Sequence, residues 1–217
     1  MIIAIDGPAG AGKSTVAKIL AKELGFLYID TGAMYRCLAL KALDQGVDIE
    51  DTAKIIGLAR ETSIGLVNNP DGTLKVLSDG KDVTDAIRKP RVTQIVSDVA
   101  KIKEVRQIMV ELQRRLGANQ DSVMDGRDIG TVVFPDAQRK FYIDAHFAQR
   151  ASRRYKEHKG LGNEASLKDV EKDLHNRDTI DSTREFSPLK KADDAIYVDT
   201  TNMSIEEVVA HLMDKVK

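Results

Sequence analysis

The sequence has no tryptophan and a single cysteine, Cys37. One thiol can build neither an intrachain disulfide framework nor a cysteine zinc site. The four histidines, His146, His158, His175 and His211, never approach metal-ligand spacing and read as surface or core residues. Neither sign of charge is in excess, since 33 Lys and Arg face 34 Asp and Glu for a formal net charge of −1. That balance argues against a general nucleic-acid binder and leaves room for a local basic site. No apolar run reaches the length of a membrane span. The N-terminus, Met-Ile-Ile-Ala-Ile-Asp, has no basic segment before its apolar run, which argues against a signal peptide. These absences lead to an expectation of a cytoplasmic protein that engages neither nucleic acid nor membrane.

What is present suits a soluble globular chain of 217 residues, 42% hydrophobic and 31% charged, with enough length for one domain and an insertion. Ile2 to Ile5 form an apolar run that ends at Asp6 and then glycines, which predicts a buried strand feeding a loop. From Lys13 the spacing turns helical through Val16, Ile19, Leu20 and Leu24, with Gly25 as the stop. Phe26 to Ile29 repeats the strand pattern and ends at Asp30. Met34, Leu38 and Leu43 then mark a second helix that stops near Gly46. This alternation predicts an α/β fold with a parallel sheet.

The alternation breaks between about Ser63 and Arg88. Two β-rich runs, Ile64 to Val67 and Leu74 to Leu77, flank Asn68-Asn69-Pro70-Asp71-Gly72, which predicts an antiparallel hairpin on an inserted lobe. Residues 91–117 read as helical. Ser122 to Asp125 and Lys140 to Asp144 read as strands, 147–158 and 167–184 as charged helices, and Ala195 to Asp199 as the last strand. Ser204 caps the final helix, with Glu206 and Glu207 in its first turn.

Gly7-Pro8-Ala9-Gly10-Ala11-Gly12-Lys13-Ser14 fits G-x-x-x-x-G-K-[ST], between a predicted strand and a predicted helix. Its backbone N–H groups can wrap a polyphosphate, and the helix adds its positive end. Lys13 is placed to reach the β- and γ-phosphates, and the Ser14 hydroxyl to ligate Mg²⁺. No Asn-Lys-x-Asp element of a GTPase follows. Further strings suit a small-substrate kinase that brings two phosphates together: Asp30-Thr31-Gly32-Ala33-Met34-Tyr35-Arg36 and Asp125-Gly126-Arg127-Asp128-Ile129-Gly130-Thr131-Val132-Val133-Phe134-Pro135. Arg177-Asp178-Thr179-Ile180-Asp181-Ser182-Thr183-Arg184 is a third, beside Ser97, Arg106, Arg150, Arg153 and Arg154.

Together these strings resemble the bacterial-type cytidylate kinases, a family of nucleoside-monophosphate kinases, over essentially the whole chain. The Lys13-Ser14-Thr15 end differs from the Gly-Lys-Gly-Thr common in adenylate kinases. The resemblance implies a three-layer α/β P-loop fold in one domain over 1–217. It implies a monophosphate-binding insert at 63–88 that contains the hairpin, and a short lid at 157–166. It implies transfer of the γ-phosphoryl group of ATP, with Mg²⁺, to CMP or dCMP, giving CDP or dCDP and ADP in pyrimidine metabolism. A monomer is expected.

The resemblance also implies a division of labour. Residues Gly7, Pro8, Ala9, Gly10, Ala11, Gly12, Lys13, Ser14 and Thr15 would hold ATP, with Arg150 and Arg154 touching its phosphates near the lid. Arg36, Arg127 and Arg184 would face the acceptor phosphate, and Thr31 and Tyr35 would also bind the acceptor substrate. Ser97, Arg106 and Asp128 would read cytosine, and Asp181 with Arg177 would hold the ribose. Lys13, Arg127 and Arg184 would carry the chemistry.

The base assignment has a physical basis. Cytosine offers an amino donor beside two acceptors, which suits one carboxylate and one or two donors. Several residues keep a second reading. Arg127 and Asp128 could form a local surface ion pair, and Arg177, Asp181 and Arg184 a salt-bridged helix face. Tyr35 could serve packing. Arg153 reads as a solvated helix residue and Cys37 as a small core residue. Asp125 is either a partner of Mg²⁺ through water or a strand-end aspartate.

Overall fold

Ile3, Ala4 and Ile5 have no exposed surface, so the first apolar run lies inside a sheet that is covered on both faces. The computed structural model describes residues 1–160, 162 and 164–216; Leu161 and Asn163 of the expected lid lie outside the described residues. The elements begin with β1 (Ile2–Asp6), α1 (Lys13–Leu24), β2 (Leu27–Asp30), α2 (Thr31–Asp44) and α3 (Thr52–Glu61). They continue through β3 (Ile64–Asn68), β4 (Leu74–Ser78), β5 (Lys81–Asp82), a 3₁₀ turn (Ala86–Arg88), α4 (Pro90–Lys101) and α5 (Lys103–Gly117). The chain then forms β6 (Ser122–Gly126), a π turn (Ile129–Val133), β7 (Arg139–Asp144), α6 (Phe147–Gly160), α7 (Leu167–Thr183), β8 (Ile196–Asp199) and α8 (Ile205–Val216).

The central sheet runs β2-β6-β1-β7-β8, and every pairing is parallel. Side chains alternate across it. Ile3, Ile5, Val123, Phe141 and Ile143 pack into one cluster with residues of α1, α2 and α8. Ala4, Ile29 and Met124 point the other way, onto Val110 of α5 and Ile129 and Val133 of the π turn. Two buried faces make the three-layer α/β architecture. Parallel strands place their C-terminal ends on one edge. Asp6, Asp30 and Asp125 all stand there.

The hairpin forms in the register Ile64↔Ser78 to Asn68↔Leu74, and β5 adds a short third strand. Ile64, Leu74 and Val76 pack it into the main core, and Asn68 ties it to the backbone of β2. Asn68 Nδ2 donates to the Tyr28 carbonyl at 3.0 Å, and Asn68 Oδ1 accepts from the Tyr28 N–H at 3.2 Å. The amide thus satisfies sheet-edge groups that another strand would otherwise pair.

The helical run over 91–117 is two helices. Ile102, extended at φ −68° and ψ 120°, separates α4 from α5. The break matters because residues nine apart on one helix point roughly 180° away from each other. Ser97 and Arg106 are nine apart, yet both line the same cavity. Helix α3, where Ile55, Leu58 and Ala59 are buried and Asp51 caps the first turn, lies outside the elements read from the sequence. At the C-terminus Ser204 and Glu207 cap α8 reciprocally, the Glu207 carboxylate accepting from the Ser204 N–H at 2.7 Å. No helix among the described residues is long and apolar enough to cross a membrane.

Candidate active site

The loop between β1 and α1 takes a shape that its glycines permit. Gly10 has φ +76°, and a Cβ there would stand 2.9 Å from the Arg150 carbonyl oxygen. Gly12 precedes α1 at φ 91°, and no side chain caps that helix. The first N–H groups of α1 therefore remain open for an anion. Lys13 is buried and donates to the Pro8 carbonyl at 2.7 Å. Burial, then the Arg127 charge, lowers its ammonium pKa to about 7.

Facing the loop, Asp125 ends β6. Its Oδ2 accepts from the Ser14 hydroxyl at 2.7 Å, and its Oδ1 from the Tyr28 hydroxyl at 2.9 Å. Burial, then the Asp30 charge, raises the Asp125 pKa to about 6. Among the described residues no cluster of three or more His, Cys, Asp or Glu could hold a metal alone. Two adjacent oxygen donors suit Mg²⁺, a cation that takes few protein ligands and shares phosphate oxygens.

The loop opens into a cavity of about 270 Å³. Eight cationic side chains line it against five carboxylates, so the balanced chain carries a locally positive site. The cations are Lys13, Arg36, Arg88, Arg106, Arg127, Arg154, Arg177 and Arg184. Asp181 accepts from Arg127 Nε at 2.9 Å and from Arg184 Nη1 at 3.4 Å. Burial raises the Asp181 pKa, but Arg127, Arg184 and Arg177 outweigh it and hold the carboxyl below its usual range. Burial and neighbouring Arg127 lower Arg177 to about 10. Asp30 caps α2 by accepting from the Ala33 N–H at 2.8 Å, and its other oxygen holds Arg36 at 2.9 Å. Buried donors at Arg36 Nε, Arg106 Nε, Arg177 Nε and Arg184 Nη2 have no hydrogen-bond partner among the described residues. Unpaired buried donors are costly, and four around one cavity call for a ligand rich in acceptors.

The far end is built differently. Asp128 Oδ2 accepts from Arg106 Nη2 at 2.5 Å, and Arg184 Nη2 lies 3.9 Å from Asp128 Oδ1. The Arg106 guanidinium also sits 5.3 Å from the centre of the Tyr35 ring. Ser97 is buried on the same wall. The result is one carboxylate flanked by donors in a buried slot.

Of the residues singled out in the sequence, Ala9, Gly10, Gly12, Lys13, Ser14 and Thr15 line the cavity on one side. Thr31, Tyr35, Arg36, Ser97, Arg106, Arg127, Asp128, Arg154, Arg177, Asp181 and Arg184 line the rest. Gly7, Pro8 and Ala11 do not line it. Arg150 stands behind the loop, giving Nη1 to the Ala9 carbonyl at 3.0 Å and to Asp178 at 2.5 Å, and Nε to the Ala145 carbonyl at 3.0 Å. It thus braces the loop and does not line the cavity. Arg153 is not a free surface residue, since it binds Thr200, whose hydroxyl reaches the Ala11 carbonyl at 3.2 Å. Arg127 and Asp128 do not pair with each other; each has a partner across the cavity. No residue of the hairpin lines the cavity, and that wall is Arg88 to Arg106. Arg88 and Asp30 are cavity residues that the sequence reading did not assign. Asp30 was legible as a strand-end aspartate before a helix, a capping position.

A match to the cytidylate kinase family spans residues 3–217. The chain belongs to the cytidylate kinase family. It is 51% identical over 215 residues to the cytidylate kinase of Caldanaerobacter subterraneus subsp. tengcongensis, covering 99% of this chain and 94% of that one. It is 48% identical over 216 residues to the cytidylate kinase of Clostridioides difficile, covering 100% and 98%. In fold it resembles a solved uncharacterized protein from Eubacterium ventriosum, with a TM-score of 0.54, 12% identity and coverage of 100% and 97%. For a cytidylate kinase the geometry is apt, with a phosphate-binding loop, a cationic middle and a carboxylate slot in a single cavity.

Proposed function

We infer that this member of the cytidylate kinase family transfers the γ-phosphoryl group of ATP to CMP or dCMP, giving ADP and CDP or dCDP. The observation that carries this beyond kinship is the single cavity with the P-loop at one end and the Asp128–Arg106 pair at the other. A donor and an acceptor nucleotide can meet there with their phosphates among the arginines.

The acceptor is a phosphate oxygen that is already ionised, so no general base is needed. Catalysis then reduces to in-line positioning and charge neutralisation. The N–H groups of the loop and α1 hold the donor polyphosphate. Lys13 leaves the Pro8 carbonyl for the β- and γ-phosphates, whose charge favours its ammonium form. Ser14 and Asp125 would hold Mg²⁺, which when bound neutralises the donor phosphates. Arg36, Arg127 and Arg184 neutralise the acceptor phosphate and the migrating group. Arg127 and Arg184 are pre-aimed by Asp181, so little reorganisation is required. Arg154 lies on the cavity side of α6, and Arg150 fixes the loop backbone from behind.

Asp128 accepts the cytosine amino group, while Ser97 and Arg106 donate to its acceptors. Uracil would turn a carbonyl toward the carboxylate and leave it unpaired. Asp181 and Arg177, which line the same cavity, would hold the ribose hydroxyls. Arg88 of the insert and Glu157 of the lid line the cavity, so closure of these two segments would exclude water.

A coupled assay over CMP, dCMP, UMP, AMP and dTMP tests the reading. CMP and dCMP should give the highest kcat/KM. Faster turnover of AMP or dTMP, or ATP hydrolysis indifferent to any monophosphate, would refute it.

A further inference from the structure

Asp128 stands at the N-cap of the Ile129–Val133 turn, yet its side chain does not cap that turn. An aspartate in this position ordinarily folds its carboxylate onto the first free backbone N–H groups. Here Asp6 takes the Gly130 N–H, one of the two groups that such a carboxylate usually caps, and the Ile129 N–H before it. Asp6 Oδ1 accepts from the Ile129 N–H at 2.9 Å, and Asp6 Oδ2 from the Gly130 N–H at 2.8 Å. The Asp128 carboxylate is thereby released toward Arg106 and Arg184.

We propose that Asp6 is a specificity-determining positioning residue: it caps the Ile129–Val133 turn in place of Asp128 and so keeps the Asp128 carboxylate in the acceptor pocket. The inference rests on the base-reading role given to Asp128 above.

Three observations support it. Asp6 is fixed in the middle strand, paired in register with Gly126 on one side and Tyr142 on the other. Its carboxylate is buried, and both its oxygens serve this one turn. Gly130 lets the turn approach closely, since a Cβ there would lie 3.1 Å from Lys140 Cδ and 3.5 Å from Asp6 Oδ2. Without Asp6 two N–H groups at the start of the turn lose their acceptor. The Asp128 side chain is already in the position from which a capping residue supplies one. If it swings there, it leaves Arg106 and the pocket.

Asp6→Asn keeps the size of the side chain but sets an NH₂ group against one of the two N–H donors. The test compares wild type, Asp6→Asn, Asp128→Ala and the double variant, with kcat and KM for CMP, UMP and ATP. Asp6→Asn is expected to lower the CMP-over-UMP preference about tenfold or more, through KM for CMP, with KM for ATP changed less than about twofold. In the double variant the second substitution should remove no further preference, because both act on one carboxylate. Preference losses that multiply in the double variant would overturn the proposal. So would a raised KM for ATP with the preference intact, which would mean that Asp6 acts on the neighbouring loop. If Asp128→Ala loses the preference and Asp6→Asn keeps it, this inference fails and the base reading stands. If Asp128→Ala itself keeps the preference, the base reading fails and the inference with it. Should Asp6→Asn not fold, Asp6→Ser retains one acceptor. It is then expected to lose part of the preference, and full preference in that variant would refute the proposal.

Discussion

The Ser14 hydroxyl donates to Asp125 Oδ2 at 2.7 Å, and this bond ties the P-loop to the end of β6. Tyr28, itself held through its backbone by Asn68 of the hairpin, donates to the other oxygen of Asp125. The carboxylate therefore has a fixed orientation before any cation arrives. Asp125→Asn keeps the shape and removes the charge. It should raise the half-saturating Mg²⁺ concentration about 10–100-fold, the range for groups that orient metal ligands. A Mg²⁺ titration at saturating nucleotides reads this directly, and an unchanged midpoint would remove Asp125 from the cation site.

Asp128→Ala removes the acceptor of the base slot and leaves Arg106 buried without its partner. CMP should lose more than UMP, with the CMP-over-UMP ratio of kcat/KM falling about tenfold or more. Equal losses on both substrates would exclude a role in reading the base.

Asp181→Ala frees Arg127 Nε and Arg184 Nη1 at once. Both arginines would then lose their aim while keeping their charge. KM for CMP should rise about 30-fold or more, the cost of removing one partner of a buried hydrogen-bonded charge pair. The Kd of ATP measured without acceptor should stay near wild type, because the P-loop contacts are untouched. A fall in ATP affinity alone would contradict this assignment.

The parts of the fold legible in the sequence were those written in local spacing. The run Ile2–Ile5 before Gly7 and the helical period from Val16 to Leu24 announced β1 and α1 without tertiary information. The Asn69-Pro70-Asp71-Gly72 turn announced the hairpin. The break at Ile102 was hidden because residues 91–117 contain neither glycine nor proline before Gly117, and an isoleucine in extended conformation leaves no compositional mark. Partners across the cavity were hidden for the same reason. Nothing local says that Arg127 pairs with Asp181 and not with adjacent Asp128, or that Arg150 turns behind the loop to Ala9. Asp6 was visible as a strand end, but its service to a turn across the sheet depends on β1 and β6 being neighbours.

Burial pushes the Asp6 carboxyl from 3.8 up to about 7, with the Gly130 and Ile129 N–H groups opposing and the Asp128 charge adding to the rise. Lys13, the other charged group acting on it, also opposes the rise. A carboxyl raised in the folded state holds a proton that the unfolded chain has released. Its contribution to stability is therefore full below pH 3.8 and is lost as pH rises through about 7. The protonated oxygen is a poorer acceptor, so both N–H bonds to the turn are fully made only in the ionised form, above about pH 7. Asp6→Asn does not titrate and serves as the reference. Wild-type stability minus that of Asp6→Asn should fall from about pH 4 to about pH 7, with a slope of at most ~1.4 kcal/mol per pH unit, and level off above. Urea denaturation of both proteins at several pH values measures the difference. A difference that stays flat or grows with pH would show that the two N–H bonds outweigh burial, so that Asp6 is ionised throughout.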